Sequence, residues 1–139
     1  MKTVLLDTNV LVRFTTGEPV EQAEQARQLL ISSQEGNSHL LVLPMVLAEA
    51  VYVLTKVYAL PRHAVTAALS NLLSSPGFQS DESRLMTGAL ELFGRSRLGF
   101  LDCYLANTSL HEGLPIATFD HEIRKLSGVK WIQPGNLQD

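Results

Sequence analysis

Four acidic residues stand where chemistry could be done. Asp7 ends an apolar run of strand-formers, Val4-Leu5-Leu6, and is followed by Thr8 and Asn9. Glu49 lies inside the apolar stretch PMVLAEAVYVL, Asp102 follows Gly99-Phe100-Leu101, and Asp120 follows LPIATF. Carboxylates that share a small site repel one another and raise each other's pKa values. A divalent cation lets them stay ionised together, and an all-oxygen set selects a hard ion, Mg²⁺ or Mn²⁺, over zinc. Such a site can lower the pKa of a bound water and neutralise a phosphodiester during in-line attack. Spacing alone does not establish this, because scattered acids are a weak signal until a fold gathers them.

Each acid also has a plainer use. Aspartate is a preferred helix N-cap, worth about 1 kcal/mol, and Asp7, Asp102 and Asp120 each precede a predicted helix or turn. Glu49 is harder to place in this way. Its helical neighbours Met45, Val46, Tyr52 and Val53 are apolar, so its face is expected to be buried or nearly so. A lone carboxylate there is costly without a partner or a metal. The plain alternative is an ion pair with Lys56 or an arginine at the rim of the core.

The elements that must carry these acids alternate between strand and helix. Lys2 to Leu6 reads as a buried strand, and residues 8 to 14 as a short helical turn ended near Gly17-Glu18-Pro19. Val20, Ala23, Arg27, Leu30 and Ile31 keep helical spacing up to Gly36-Asn37. His39 to Leu43 is a second buried strand, Met45 to Tyr58 a helix, and Pro61 opens another helix with the stripe Val65, Ala68, Leu69, Leu72. Phe78 to Ser80 reads as a short edge strand. Ser80 or Asp81 caps a helix with the stripe Leu85, Met86, Ala89, Leu90, Phe93. A basic loop, Gly94 to Gly99, leads to a helix from Leu101 to His111, closed by Gly113. Leu114 to Thr118 and Val129 to Ile132 are strands around a short helix, Asp120 to Leu126. Alternating strands and helices imply parallel pairing and a layered α/β/α domain.

The 139 residues suit a single domain, 1–139, with a real core. Hydrophobic residues make up 45% and charged ones 18%, which excludes a disordered chain. No apolar run approaches the ~20 residues of a membrane span. The first strand carries Asp7 and lacks a small-residue cleavage site, so it does not read as a signal peptide. Cys103 is the single cysteine, which leaves no internal disulfide and no thiolate zinc cluster. A reducing cytoplasm fits. The net charge of −3 gives no global basic footprint, although a nucleic-acid enzyme can hold an acidic metal site and use a few local arginines. Arg13, Arg95 and Arg97 stand near the predicted mouth, where arginine grips phosphate bidentately. A solvated loop, or salt bridges to a partner peptide, accounts for them equally well. His63, His111 and His121 share no metal-binding spacing.

Taken together, Asp7-Thr8-Asn9 after a strand, Glu49 in a Pro44-led apolar helix, Phe100-Leu101-Asp102 before Tyr104-Leu105-Ala106, and Ala117-Thr118-Phe119-Asp120 resemble a PIN domain. The likeness is greatest to the VapC-type toxins of type II toxin–antitoxin pairs and covers nearly the whole chain. No single motif is very specific, but the ordered set of four acids is fairly so. The resemblance implies a three-layer α/β/α fold with a central parallel sheet and a Mg²⁺-dependent endoribonuclease (Mn²⁺ as substitute). By position Asp7, Glu49, Asp102 and Asp120 match the family's acidic quartet. Asp7 and Asp102 would be the main metal ligands, with Glu49 and Asp120 completing the site. Thr8, Asn9 and Thr118 match supporting polar positions, where local turn bonding is the alternative. The same resemblance implies an RNA substrate, a cognate antitoxin, and a homodimer formed through the apolar helices from Met45 to Leu73. Ordinary core is the alternative for those helices. Cys103 and Asn107 depart from the small apolar residues common after the third acid, and Cys103 reads as a packed side chain.

Two other function classes fit parts of the pattern. A PIN-like scaffold could bind RNA or protein without cutting, although all four matching acids argue against that. An Asp-based phosphotransfer domain also puts an acid after its first strand. Its phosphatase form wants a second acid where Asn9 stands, and its receiver form leaves Glu49 unexplained.

Overall fold

The computed structural model describes residues 2–78 and 80–136. The order is β1 (Lys2–Leu5), α1 (Thr8–Thr16), α2 (Val20–Gln34), β2 (Ser38–Leu41), α3 (Pro44–Tyr52), α4 (Arg62–Leu73), α5 (Asp81–Gly94), α6 (Phe100–Glu112), β3 (Ile116–Ala117), α7 (His121–Arg124) and β4 (Trp131–Ile132). The fold is α/β, and its strands pair in parallel as the alternation requires. β1 lies beside β2 with Lys2 opposite Ser38 and Leu5 opposite Leu41. β3 lies beside β4 with Ile116 opposite Trp131. Among the described residues these are two separate two-stranded sheets, each joined by a helical crossover.

Helix ends follow their sequence signals. Gly17 takes the left-handed conformation that a residue with a Cβ adopts only at a cost, and its N–H closes α1 on the Arg13 carbonyl. Pro44 sits in the first turn of α3, where its missing N–H is not needed. Ser80 and Ser83 form a reciprocal capping box at the start of α5. The helix predicted to reach Tyr58 does so with a change of winding. After Tyr52 the chain runs through a π-helical turn, Val53–Val57, where the Thr55 hydroxyl donates to the Val51 carbonyl at 2.7 Å. That competing acceptor bond loosens the last turn.

The larger core gathers Leu11, Leu40, Leu47, Val51, Leu54, Val65, Leu69, Met86, Leu90 and Cys103 from α1, β2, α3, the π turn, α4, α5 and α6. A smaller cluster of Ala106, Ile116, Ile123 and Val129 lies under β3, α7 and β4, and Leu92 packs against both. Three expectations change. β1 is not buried on both faces: Val4 packs against the core and Leu6 enters it, whereas Leu5, on the opposite face, is exposed. The two C-terminal strands are shorter than their apolar runs. The edge strand expected at 78–80 is instead a 3₁₀ turn over Pro76–Phe78, with Gln79 outside the described residues. Pro76 cannot donate to a ladder, and Gly77 lies so close to Ser33 that a Cβ would fall 2.4 Å from its side chain.

Candidate active site

Asp7 caps α1. Its Oδ1 accepts from the Thr8 N–H at 2.7 Å, so the capping role is real. The cap uses one oxygen and leaves Oδ2 without a hydrogen bond among the described residues. α3 packs on α1, and this brings Glu49 to the same place. Asp7, Thr8, Asn9, Arg13, Glu49, Val53 and Tyr58 line one open cleft of about 250 Å³. The π turn supplies Val53 and leads to Tyr58, so the loosened winding shapes one wall of the cleft.

Glu49 does not lie on the buried face that its apolar neighbours predict. Its face of α3 is not buried: Glu49 is exposed, Met45 is 84% exposed, and Tyr52 is also exposed. The core face of the helix is Leu47, Ala50, Val51 and Leu54. The helix is apolar on more than one side, so periodicity could not say which side turns inward. Neither Lys56 nor an arginine pairs with Glu49 among the described residues, where the ion pairs are Arg27–Glu24 and Lys125–Glu122.

Asp102 and Asp120 form a second pair. Asp102 stands in the first turn of α6, whose N-cap is Gly99, so it does not cap the helix. Burial first, and the charge of Asp120 second, push its carboxyl above the ordinary aspartate range. Asp120 caps α7 by accepting from the Glu122 N–H at 2.9 Å. Its own N–H donates to the Thr118 hydroxyl at 2.9 Å, the local turn bond that was the alternative reading of Thr118. Thr8 is buried beneath Asp7, whereas Asn9 is exposed at the cleft.

The basic residues divide by role. Arg13 is partly held, its Nε donating to Gln22 Oε1 at 2.7 Å, and it lines the Asp7–Glu49 cleft. Arg95 and Arg97 are exposed in the loop before α6. Cys103 is fully buried and burial raises its thiol pKa, so it is a packed neutral side chain. Asn107 donates to the Leu85 carbonyl at 3.1 Å and locks α6 to α5. Sequence reasoning passed over Arg62 and Arg124. Arg62 donates from Nε to the Phe93 carbonyl at 3.0 Å and from Nη2 to the Leu98 carbonyl, and it lies 3.6 Å over the Phe93 ring. Arg124 donates from Nη2 to the Thr118 carbonyl at 2.8 Å and lies 4.2 Å over the Trp131 ring. A signal for Arg62 existed: a cation in the first turn of a helix opposes the dipole and wants a compensating role.

The structure therefore gathers the acids as two pairs, Asp7 with Glu49 and Asp102 with Asp120. Among the described residues no three His, Cys, Asp or Glu residues lie close enough to form one metal-binding group. The donor chemistry nonetheless suits a hard divalent cation. All four candidates are carboxylates, and the burial of Asp102, with the charge of Asp120 second, raises its pKa, a cost that a bound cation would offset.

The fold and site define a parallel-stranded α/β domain with acids at strand ends and helix starts. The PIN domain family model matches residues 4–129, and the chain belongs to that family. PIN domains are generally nucleases, often the toxins of toxin–antitoxin pairs, and they typically use divalent metal ions. No curated protein matches the chain. No helix among the described residues is long and apolar enough to cross a membrane.

Proposed function

We propose that this chain is a Mg²⁺-dependent endoribonuclease and the toxin of a type II toxin–antitoxin pair, acting in the cytoplasm. The observation that carries the reading is the like-charged pair Asp102–Asp120 in a PIN domain whose other two acids share a cleft. Asp7, Glu49, Asp102 and Asp120 would hold the ion. Asp7 and Asp120 each spend one oxygen on a cap and keep the other for ligation. When bound, the ion supplies charge neutralisation at the phosphodiester and a more acidic attacking water. The Thr118 hydroxyl braces the turn that carries Asp120, and Thr8 gives Asp7 its backbone N–H. Asn9 offers an amide beside the cleft, and Arg13, Arg95 and Arg97 supply phosphate contacts that orient an RNA strand.

The partner reading draws support from apolar side chains left in water beside the acids. Leu101 is 75% exposed next to Asp102, and Phe119 is 72% exposed next to Asp120. Met45, Tyr52 and Val57 are likewise exposed on α3 and its π turn, whereas Leu47, Leu54, Val65, Leu69, Leu72 and Leu73 are core. An antitoxin, or a second copy in a homodimer, would cover the exposed set.

The test is RNA cleavage by purified protein with Mg²⁺ or Mn²⁺. Asp7→Asn and Asp102→Asn should each abolish cleavage with the fold retained by circular dichroism. Undiminished metal-dependent cleavage by both variants would overturn the site assignment. A wild-type protein that binds RNA but cuts none of a broad panel would make it a PIN-like binding module.

A further inference from the structure

Two half-buried arginines share a pattern: each donates to backbone carbonyls and stacks on an aromatic ring. Arg62, at the start of α4, reaches across to both ends of the basic loop. It grips the Phe93 carbonyl near the end of α5 and the Leu98 carbonyl just ahead of the α6 N-cap, while its guanidinium stacks on Phe93. Asp102 stands in the turn that this grip fixes. Arg124 grips the Thr118 carbonyl two residues before Asp120 and stacks on Trp131. Among the described residues neither arginine forms an ion pair with an acid.

We infer that Arg62 and Arg124 are positioning residues: each clamps the backbone just ahead of one acid and sets where Asp102 and Asp120 stand. Two like charges move apart unless the chain beneath them is pinned. An arginine paired directly with a carboxylate would occupy the oxygens a cation needs. By gripping carbonyls instead, these two leave the carboxylates open. The planar fork of Arg62 holds two carbonyls at once, which an ammonium on a flexible stem cannot reproduce. The clamp also closes the loop that carries Arg95 and Arg97, so one side chain orients an acid and two candidate phosphate contacts.

The inference rests on the metal-dependent nuclease reading, so its test keeps the two apart. Mn²⁺ binding to the full chain is followed by electron paramagnetic resonance, and RNA cleavage is measured separately. Arg62→Lys and Arg124→Lys should each weaken Mn²⁺ affinity by about tenfold, the loss usual when a residue supporting metal ligands is changed. Each should lower kcat with KM for RNA unchanged, and Arg62→Ala should be worse than Arg62→Lys. Arg27→Ala, which loses only the exposed pair with Glu24, should match wild type. Wild-type Mn²⁺ affinity in the folded lysine variants would overturn the inference, as would a change confined to KM, which marks a phosphate contact. Should Arg62→Ala fail to fold, the lysine variant decides. If Mn²⁺ binding weakens as expected while even the wild type cuts no RNA, the clamps stand and the nuclease reading falls.

Discussion

Asp102 joins site chemistry to stability at a single residue. Burial and the neighbouring Asp120 raise its pKa in the folded chain above the unfolded value. The folded state then holds this proton to higher pH than the unfolded state does. As pH rises through the ordinary carboxylate range the unfolded chain ionises first, and the metal-free protein loses stability until the folded pKa is passed. Asp102→Asn removes that loss. In chelator it should raise Tm at neutral pH and leave it unchanged below the carboxylate range, a contrast that thermal melts between about pH 3 and pH 7 will show. Added Mn²⁺ should stabilise the wild type and not the variant. Arg95 and Arg97 make a different expectation. They are exposed and held by no carboxylate among the described residues, so replacing both by alanine should raise KM for RNA and flatten its salt dependence, with kcat preserved. Each lost contact to a single strand should reduce the log–log salt slope by about 0.7. All four acids were legible as residues. What the sequence hid was their setting: the apolar neighbours of Glu49 predict a buried face, yet Met45 and Tyr52 are exposed while Val46 and Val53 pack against the core.

Among the elements, the contact of α5 with α6 is the joint that holds Asp102 in register. Gly88 lets the two helices approach so closely that a Cβ there would lie 2.5 Å from the Asn107 side-chain oxygen. Gly88→Ala should therefore cost about 1–3 kcal/mol by overpacking, despite the better helix propensity of alanine. Urea unfolding measures it, and a gain in stability would mean that Asn107 swings clear. The helix boundaries were readable because caps and prolines act locally. The strands were less so. An apolar run such as LPIAT marks burial, but how many of its residues join a ladder depends on a neighbour far along the chain, and here two do. The π turn after α3 had no signal beyond Thr55, whose hydroxyl can donate backwards in any helix.

Across the whole molecule, the α/β class followed from the alternation of strands and helices, and the family match covers residues 4–129. The separation of the core into two clusters could not be read, because it depends on which apolar faces meet after the chain has folded. It has a dynamic consequence. The smaller cluster of Ala106, Ile116, Ile123 and Val129 is bridged to the larger through Leu92, and small satellite clusters open at lower free energy than the main core. Amide hydrogens of Ile116 and Thr118, which bond to Lys130 and Ile132, should exchange faster than those of β2. Mn²⁺ should slow them selectively, because the acids it would join ride on different clusters.

The division of the acids between those clusters also bears on how the protein would fail on heating. Asp7 and Glu49 ride on the larger body and Asp120 on the smaller, so a rise in temperature that frees only the C-terminal strands would already part the four acids proposed to act together. Thermal inactivation should then come several degrees before the helical signal melts, and be reversed on cooling. The protein would then lose its function to heat while it was still largely folded.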